Sequence, residues 1–75
     1  MPDPDQTLNC QGLNCPMPIV KIAKTIKKME SGQTLEVTAT DPAFQADLNA
    51  WSKKTRNPIV EFSAEDVLRA LIQKA

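Results

Sequence analysis

The spacing of apolar residues changes along the chain, and each change marks an element. Residues 6–10, QTLNC, alternate polar and apolar, with Leu8 and Cys10 on one face, which predicts a short strand. Gln11 to Asn14 contain Gly12 and read as a turn. Over residues 16–30 the spacing lengthens to that of a helix: Ile19, Ile22, Ala23, Ile26 and Met29 form one stripe, and Lys21, Lys24, Lys27 and Lys28 lie largely off it. Gly32 is placed to stop this helix, and Lys27 and Lys28 suit the negative end of its dipole. Residues 34–40, TLEVTAT, return to strict alternation and predict the clearest strand, with Leu35, Val37 and Ala39 on one side. Asp41-Pro42 reads as an N-cap followed by proline at the first helical position, opening a second helix over about 42–54. Phe44, Leu48 and Trp51 would be its core face, although Trp51 also has the character of a half-exposed interface anchor. Asn57-Pro58 breaks the pattern, and residues 59–62, IVEF, resume as a strand.

The last segment reads two ways. Ala64, Val67, Leu68, Leu71 and Ile72 fit a helical stripe, and Ser63 followed by Asp66 resembles a capping box. Yet VLRALI also alternates well enough for a strand. Local propensity favours the helix.

Composition narrows what these elements can do. A chain of 75 residues that is 41% hydrophobic supports one domain with one modest core. We read residues 1–5, MPDPD, as a disordered polar tail and residues 6–75 as a single domain. Nine Lys and Arg balance nine Asp and Glu, which argues against a nucleic-acid-coating protein. With no His, neither a Ser-His-Asp nor a Cys-His pair nor a histidine-ligated metal site is available. Two Cys are too few for a disulfide scaffold or a zinc knuckle within one chain. No phosphate-cradling glycine loop and no metal-ligand cluster is present, so no cofactor is expected. The first ten residues have neither a basic region nor an apolar run, and no stretch approaches the roughly 18 apolar residues of a membrane span. A reducing cytoplasm with free thiols is therefore the expected compartment.

Chemistry concentrates at Cys15-Pro16-Met17-Pro18, where the first turn becomes the first helix. Cys15 is expected as the N-cap, with Pro16, Met17 and Pro18 as the first three helical positions. Proline is tolerated there because first-turn N–H groups have no partner inside the helix. The two rings stiffen the helix start and leave the Met17 and Ile19 N–H groups near the sulfur. A cysteine at the positive end of a helix dipole is a reactive-thiol candidate, since such settings lower a thiol pKa from about 8.5 into the range of roughly 3.5–7.5. Lys21 and Lys24 add positive potential farther along. No acid–base residue neighbours Cys15 in sequence, although a distant carboxylate could fold against it. An activated nucleophile without catalytic helpers suits a covalent carrier better than a stand-alone enzyme.

These residues resemble a known family. Leu8-Asn9-Cys10-Gln11-Gly12-Leu13-Asn14-Cys15-Pro16-Met17-Pro18-Ile19 is similar to the signature of the TusA/SirA-like sulfur carriers, a leucine and a glycine ahead of a Cys-Pro-x-Pro helix start. Ser31-Gly32-Gln33-Thr34-Leu35-Glu36-Val37 and Thr40-Asp41-Pro42 resemble that family's second strand and second helix start, so the likeness spans about residues 6–74. It implies an α+β fold, a two-layer α/β sandwich of order β-α-β-α-β-β with two helices on a four-stranded mixed sheet. On that likeness residues 67–74 are a strand, although Glu65-Asp66 lacks the glycine usual in the family's last turn. The resemblance implies that Cys15 carries sulfane sulfur as a persulfide and that Gly12, Pro16 and Pro18 are structural. A cysteine desulfurase or rhodanese would be the donor. A DsrE-like or other relay protein would be the acceptor, serving tRNA thiolation, cofactor synthesis or sulfur oxidation.

Blander readings stand beside these. Cys10 shares a face with Leu8 and reads first as a core residue, second as a resolving thiol for Cys15. Lys21 and Lys24 are a solvated face or, with Met17, a partner-docking patch. A thiol redox module and a regulatory or RNA-binding module are the alternatives to sulfur relay. Neutral charge and scarce aromatics weaken the RNA reading, so no direct nucleic-acid partner is expected, no membrane partner either, and the free chain is expected to be a monomer.

Overall fold

The computed structural model describes residues 4–75. Its elements are β1 (Gln6–Cys10), α1 (Met17–Lys27), β2 (Thr34–Ala39), α2 (Phe44–Thr55), β3 (Ile59–Ala64) and β4 (Leu68–Gln73). The strands form one mixed sheet in the order β1-β2-β4-β3. β1 runs parallel to β2, from Gln6 opposite Leu35 to Cys10 opposite Ala39. β4 is antiparallel to both β2 and β3 and lies between them. Both helices cover one face of this sheet, as the resemblance implied.

Alternation along the strands decides which side chains meet the helices. Leu35, Val37 and Ala39 of β2 point to the helix side with Cys10, Ala70 and Ile72, and Ile22, Ile26, Phe44 and Leu48 close over them. Each such large side chain contributes about 1.5–3 kcal/mol when fully buried, which a chain this short needs against its conformational entropy. α1 is strongly amphipathic and buries Pro18, Ile22 and Ile26. α2 buries only Phe44 and Leu48, with Trp51 half-buried; Phe44 stacks on Phe62 of β3, ring centroids 6.3 Å apart. α2 ends on Arg56 in the left-handed region (φ 64), whose N–H donates to the Ser52 carbonyl.

The final segment is a strand, and its position explains the conflicting pattern. As a central strand β4 buries side chains on both faces: Ala70 and Ile72 face the helices, and Leu71 is buried on the other side, opposite Glu36 and Glu61. A strand with side chains buried on both faces reads as a continuous apolar run, which mimics a helical stripe. Around Leu71 the outer face is otherwise polar, with Glu36, Glu61, Ser63 and Arg69 forming a shallow groove.

Two helix starts differ from expectation. α1 begins at Met17 with Pro16 as the N-cap, so Cys15 sits one residue before the N-cap rather than capping the helix. α2 begins at Phe44, because Asp41 turns the chain first: its Oδ1 accepts from the Ala43 N–H and its carbonyl from the Phe44 N–H. β3 continues to Ala64, beyond the expected end at 62.

The topology gives the molecule two distinct poles. The C-terminal ends of β1 and β2 and the starts of α1 and α2 share one pole. At the other, Asp5 pairs with Thr34 through backbone and carboxylate, Gly32 donates to the Lys74 carbonyl, and the Ala75 N–H donates to Asn57 Oδ1. Of the expected 1–5 tail, residues 1–3 lie outside the described residues. Among the described residues no helix is long and apolar enough to cross a membrane.

Candidate functional site

The loop from β1 to α1 lies at the pole where both helices begin, and it is tied down along its length. Gln11 donates its N–H to Asn9 Oδ1 at 2.9 Å, and Leu13 donates to the Cys10 carbonyl at 3.2 Å. Gly12 holds φ at +81°, a left-handed conformation that other L-residues adopt at a cost, and its N–H donates to Thr40 Oγ1 at 2.9 Å. The Cys15 N–H donates to Asp41 Oδ2 at 2.7 Å. Asp41 thus joins two loops, one oxygen on the cysteine backbone and the other on the turn that starts α2.

Past this tether the chain enters α1 through a cis Cys15–Pro16 peptide bond. Pro16 is exposed at the N-cap, whereas Pro18 is fully buried and anchors the helix start in the core. The two prolines therefore do different jobs: one shapes the entry and the other packs. Expectation left the Met17 N–H free beside the sulfur; instead it donates to the Asn14 carbonyl at 2.9 Å, closing a turn across Cys15.

The Cys15 thiol itself is exposed and unbridged. Its environment corrects the expected activation. Asp47 of α2 pushes the thiol pKa up from its ordinary value, and desolvation and the negative charge of Asp41 push the same way. Sequence reasoning missed Asp47 because it lies on α2, and no local pattern links it to a cysteine before α1. Asp41 was legible only as a helix-start residue.

Met17 and Val20, one turn apart, are 45% and 36% exposed and form an apolar shoulder beside the cysteine. Lys21 and Lys24 are exposed on the same helix. Val20 was not singled out, since it falls off the buried stripe. Cys10 belongs to the packing: it is fully buried at the end of β1, and burial pushes its thiol up, with Lys21 partly opposing. A resolving thiol must reach its partner's sulfur, and the Cys10 thiol is enclosed by the core.

Comparison with known proteins agrees with this architecture. Residues 6–74 match the family model described as sulfurtransferase TusA. The putative sulfur carrier protein YrkI of Bacillus subtilis is 48% identical over 71 residues, covering 93% of this chain and 95% of that protein. The sulfur carrier protein TusA of Allochromatium vinosum is 48% identical over 65 residues, 87% of this chain and 86% of its own. A putative sulfur carrier protein of Aquifex aeolicus is 44% identical over 62 residues, covering 83% of this chain; there the shared stretch is only 32% of the longer protein. Among solved structures, a SirA-like protein from Desulfitobacterium hafniense superposes with a TM-score of 0.79 at 20% identity, over 91% of this chain and 95% of that one, which shows the shared fold. A sulfur carrier works between a donor and an acceptor, and the chain belongs to the TusA family of sulfur carrier proteins.

Proposed function

We propose that Cys15 is the carrier residue. As thiolate it attacks the outer sulfur of a donor persulfide. The donor S–S bond breaks with its electron pair going to the donor sulfur, which leaves as a thiolate and takes up a proton. Cys15 becomes Cys15–S–SH, with no net oxidation or reduction. An acceptor cysteine then repeats the exchange on the outer sulfur. The observation that supports this most is the contrast between the two thiols: Cys15 is exposed at the junction of both helix starts, and Cys10 is enclosed.

The donor in this reading is a cysteine desulfurase or a rhodanese, and the acceptor a DsrE-like or other relay protein. Met17 and Val20, flanked by Lys21 and Lys24, are the surface on which they dock. Gly12, Pro16 and Pro18 shape the loop and helix start. The receiving pathway is tRNA thiolation, cofactor synthesis or sulfur oxidation, in a reducing cytoplasm that keeps both thiols free, and the carrier is a monomer between encounters.

The test is intact mass after incubation with a desulfurase plus cysteine, or with polysulfide. The wild type gains the mass of one sulfur atom, removable by reductant, and Cys15→Ser does not. If Cys15→Ser still gains that mass while Cys10→Ser does not, the assignment of the site is overturned.

A further inference from the structure

Local hydrogen bonds shape the loop between β1 and α1, but they do not fix its place in the fold: Gln11 bonds to Asn9, Leu13 to Cys10 and Met17 to Asn14. Two bonds from this loop reach across the molecule. The Gly12 N–H donates to Thr40 Oγ1 at 2.9 Å, 28 positions along the chain. The Cys15 N–H donates to Asp41 Oδ2 at 2.7 Å, 26 positions along. Both acceptors are consecutive residues immediately after the end of β2, so the loop is held at two points by one short stretch of backbone.

The two carboxylate oxygens of Asp41 have separable tasks. Oδ1 accepts from the Ala43 N–H at 3.1 Å, a turn that precedes α2 and that an asparagine makes equally well. That turn needs only one side-chain oxygen. Oδ2 serves the cysteine backbone instead, at the short separation of a charge-assisted bond. The side chain is half-buried, so water competes less for this bond. A carboxylate offers an acceptor on both branches, whereas an amide offers one acceptor and one donor. The cysteine tether, not the start of α2, is therefore what calls for aspartate here.

We propose that Asp41 is a positioning residue for sulfur transfer: through the Cys15 N–H, with Thr40 as a second point at Gly12, it holds the Cys15 sulfur in place beside the surface on which partners dock. This rests on Cys15 being the carrier residue, and it deepens that reading. In the exchange, the new bond from Cys15 Sγ to the donor's outer sulfur forms in line with the S–S bond that breaks, whose electron pair leaves on the donor sulfur. Such alignment is sensitive: a misplacement of about 1 Å can cost about 100-fold in rate. A small dissolved thiol chooses its own line of approach. A protein seated on Met17 and Val20 cannot, so the loop that presents the sulfur must not drift against α1.

Asp41→Asn separates the two tasks. Its one oxygen serves the Ala43 N–H, and its amide group then faces the Cys15 N–H, donor against donor. Loading is measured with a cysteine desulfurase and cysteine while the carrier concentration is varied. At saturating carrier the rate for Asp41→Asn falls roughly tenfold, and the half-saturating concentration stays near the wild-type value. Thr40→Val, which frees only Gly12, loses less, and Thr40→Ser, which keeps the oxygen, restores the wild-type rate. Discharge of the polysulfide-loaded variants to dithiothreitol stays near the wild-type rate. Charge alone predicts the opposite sign, because removing a carboxylate favours the Cys15 thiolate and would speed loading. A saturating rate equal to or above wild type overturns the proposal. So does a change confined to the half-saturating concentration, which would make Asp41 a docking contact. Amide hydrogen exchange followed by NMR reads the tether without any sulfur chemistry: the Cys15 N–H is protected in the wild type and exchanges at an open-loop rate in Asp41→Asn. Equal exchange in the two also overturns the proposal. A wild type that keeps this protection yet takes up no sulfur marks failure of the carrier assignment, whereas normal wild-type loading with an unimpaired Asp41→Asn marks failure of the positioning role alone.

Discussion

Removing the Asp41 carboxylate tests whether the cysteine loop and α2 are one mechanical unit. Asp41→Ala deletes the acceptor for the Ala43 N–H, 3.1 Å away, and the acceptor for the Cys15 N–H, 2.7 Å away. Loss of a helix-start acceptor of this kind costs about 0.5–2 kcal/mol. With a second backbone donor released at the same time, the variant falls in the upper half of that range, about 1–2 kcal/mol. For a domain of this length each kcal/mol lowers Tm by about 4–8 °C, so the expected drop is roughly 4–16 °C. Differential scanning calorimetry measures it directly. Asp41→Asn keeps one oxygen and is a good helix-start residue, so it loses markedly less. Thr40→Ala, which releases only the Gly12 N–H, also loses less. A drop below about 2 °C for Asp41→Ala, or equal damage from Asp41→Asn, would refute the idea that this one side chain couples the two loops.

Two other outcomes follow from the same geometry. Gly12→Ala meets no atom within 4 Å of its new Cβ, so its cost is purely the left-handed backbone, about 1–2 kcal/mol, and a urea midpoint unchanged from wild type would show the turn to be different in solution. Burial pushes the Cys10 thiol up, so the unfolded chain releases that proton at lower pH than the folded one. This contribution to stability is whole below the ordinary thiol pKa and is lost as pH rises through the folded value. Urea midpoints between about pH 7 and about pH 10, compared between Cys15→Ser and the Cys10→Ala, Cys15→Ser double variant, should show a steeper decline when Cys10 is present; parallel declines would contradict it.

How far the chain could be read in advance depended on how local each signal was. β2 alternates over six residues with one face buried, so its face assignment was unambiguous. α1 was equally clear, since Ile22 and Ile26 carry the stripe. β4 was not, because its place between β2 and β3, not its own pattern, makes it a strand. The end of α2 gave no signal either, as Arg56 takes the left-handed conformation usually left to glycine. At the site, the exposure of Cys15 followed from its place ahead of a proline-started helix. The direction of its titration did not. That depends on Asp47, brought in by a second helix whose placement is a tertiary fact.

The separation of the two poles has a practical and evolutionary consequence. Residues Asp5 and Ala75 emerge beside one another's hydrogen-bond partners at the end of the sheet remote from Cys15. A polypeptide spliced onto either side would extend away from the sulfur and leave Met17 and Val20 clear. The same unit can thus be built into a larger chain without rearrangement, in keeping with the Aquifex aeolicus protein, of which the matching stretch forms about a third. For the experimenter, an affinity handle or fluorophore belongs at those ends.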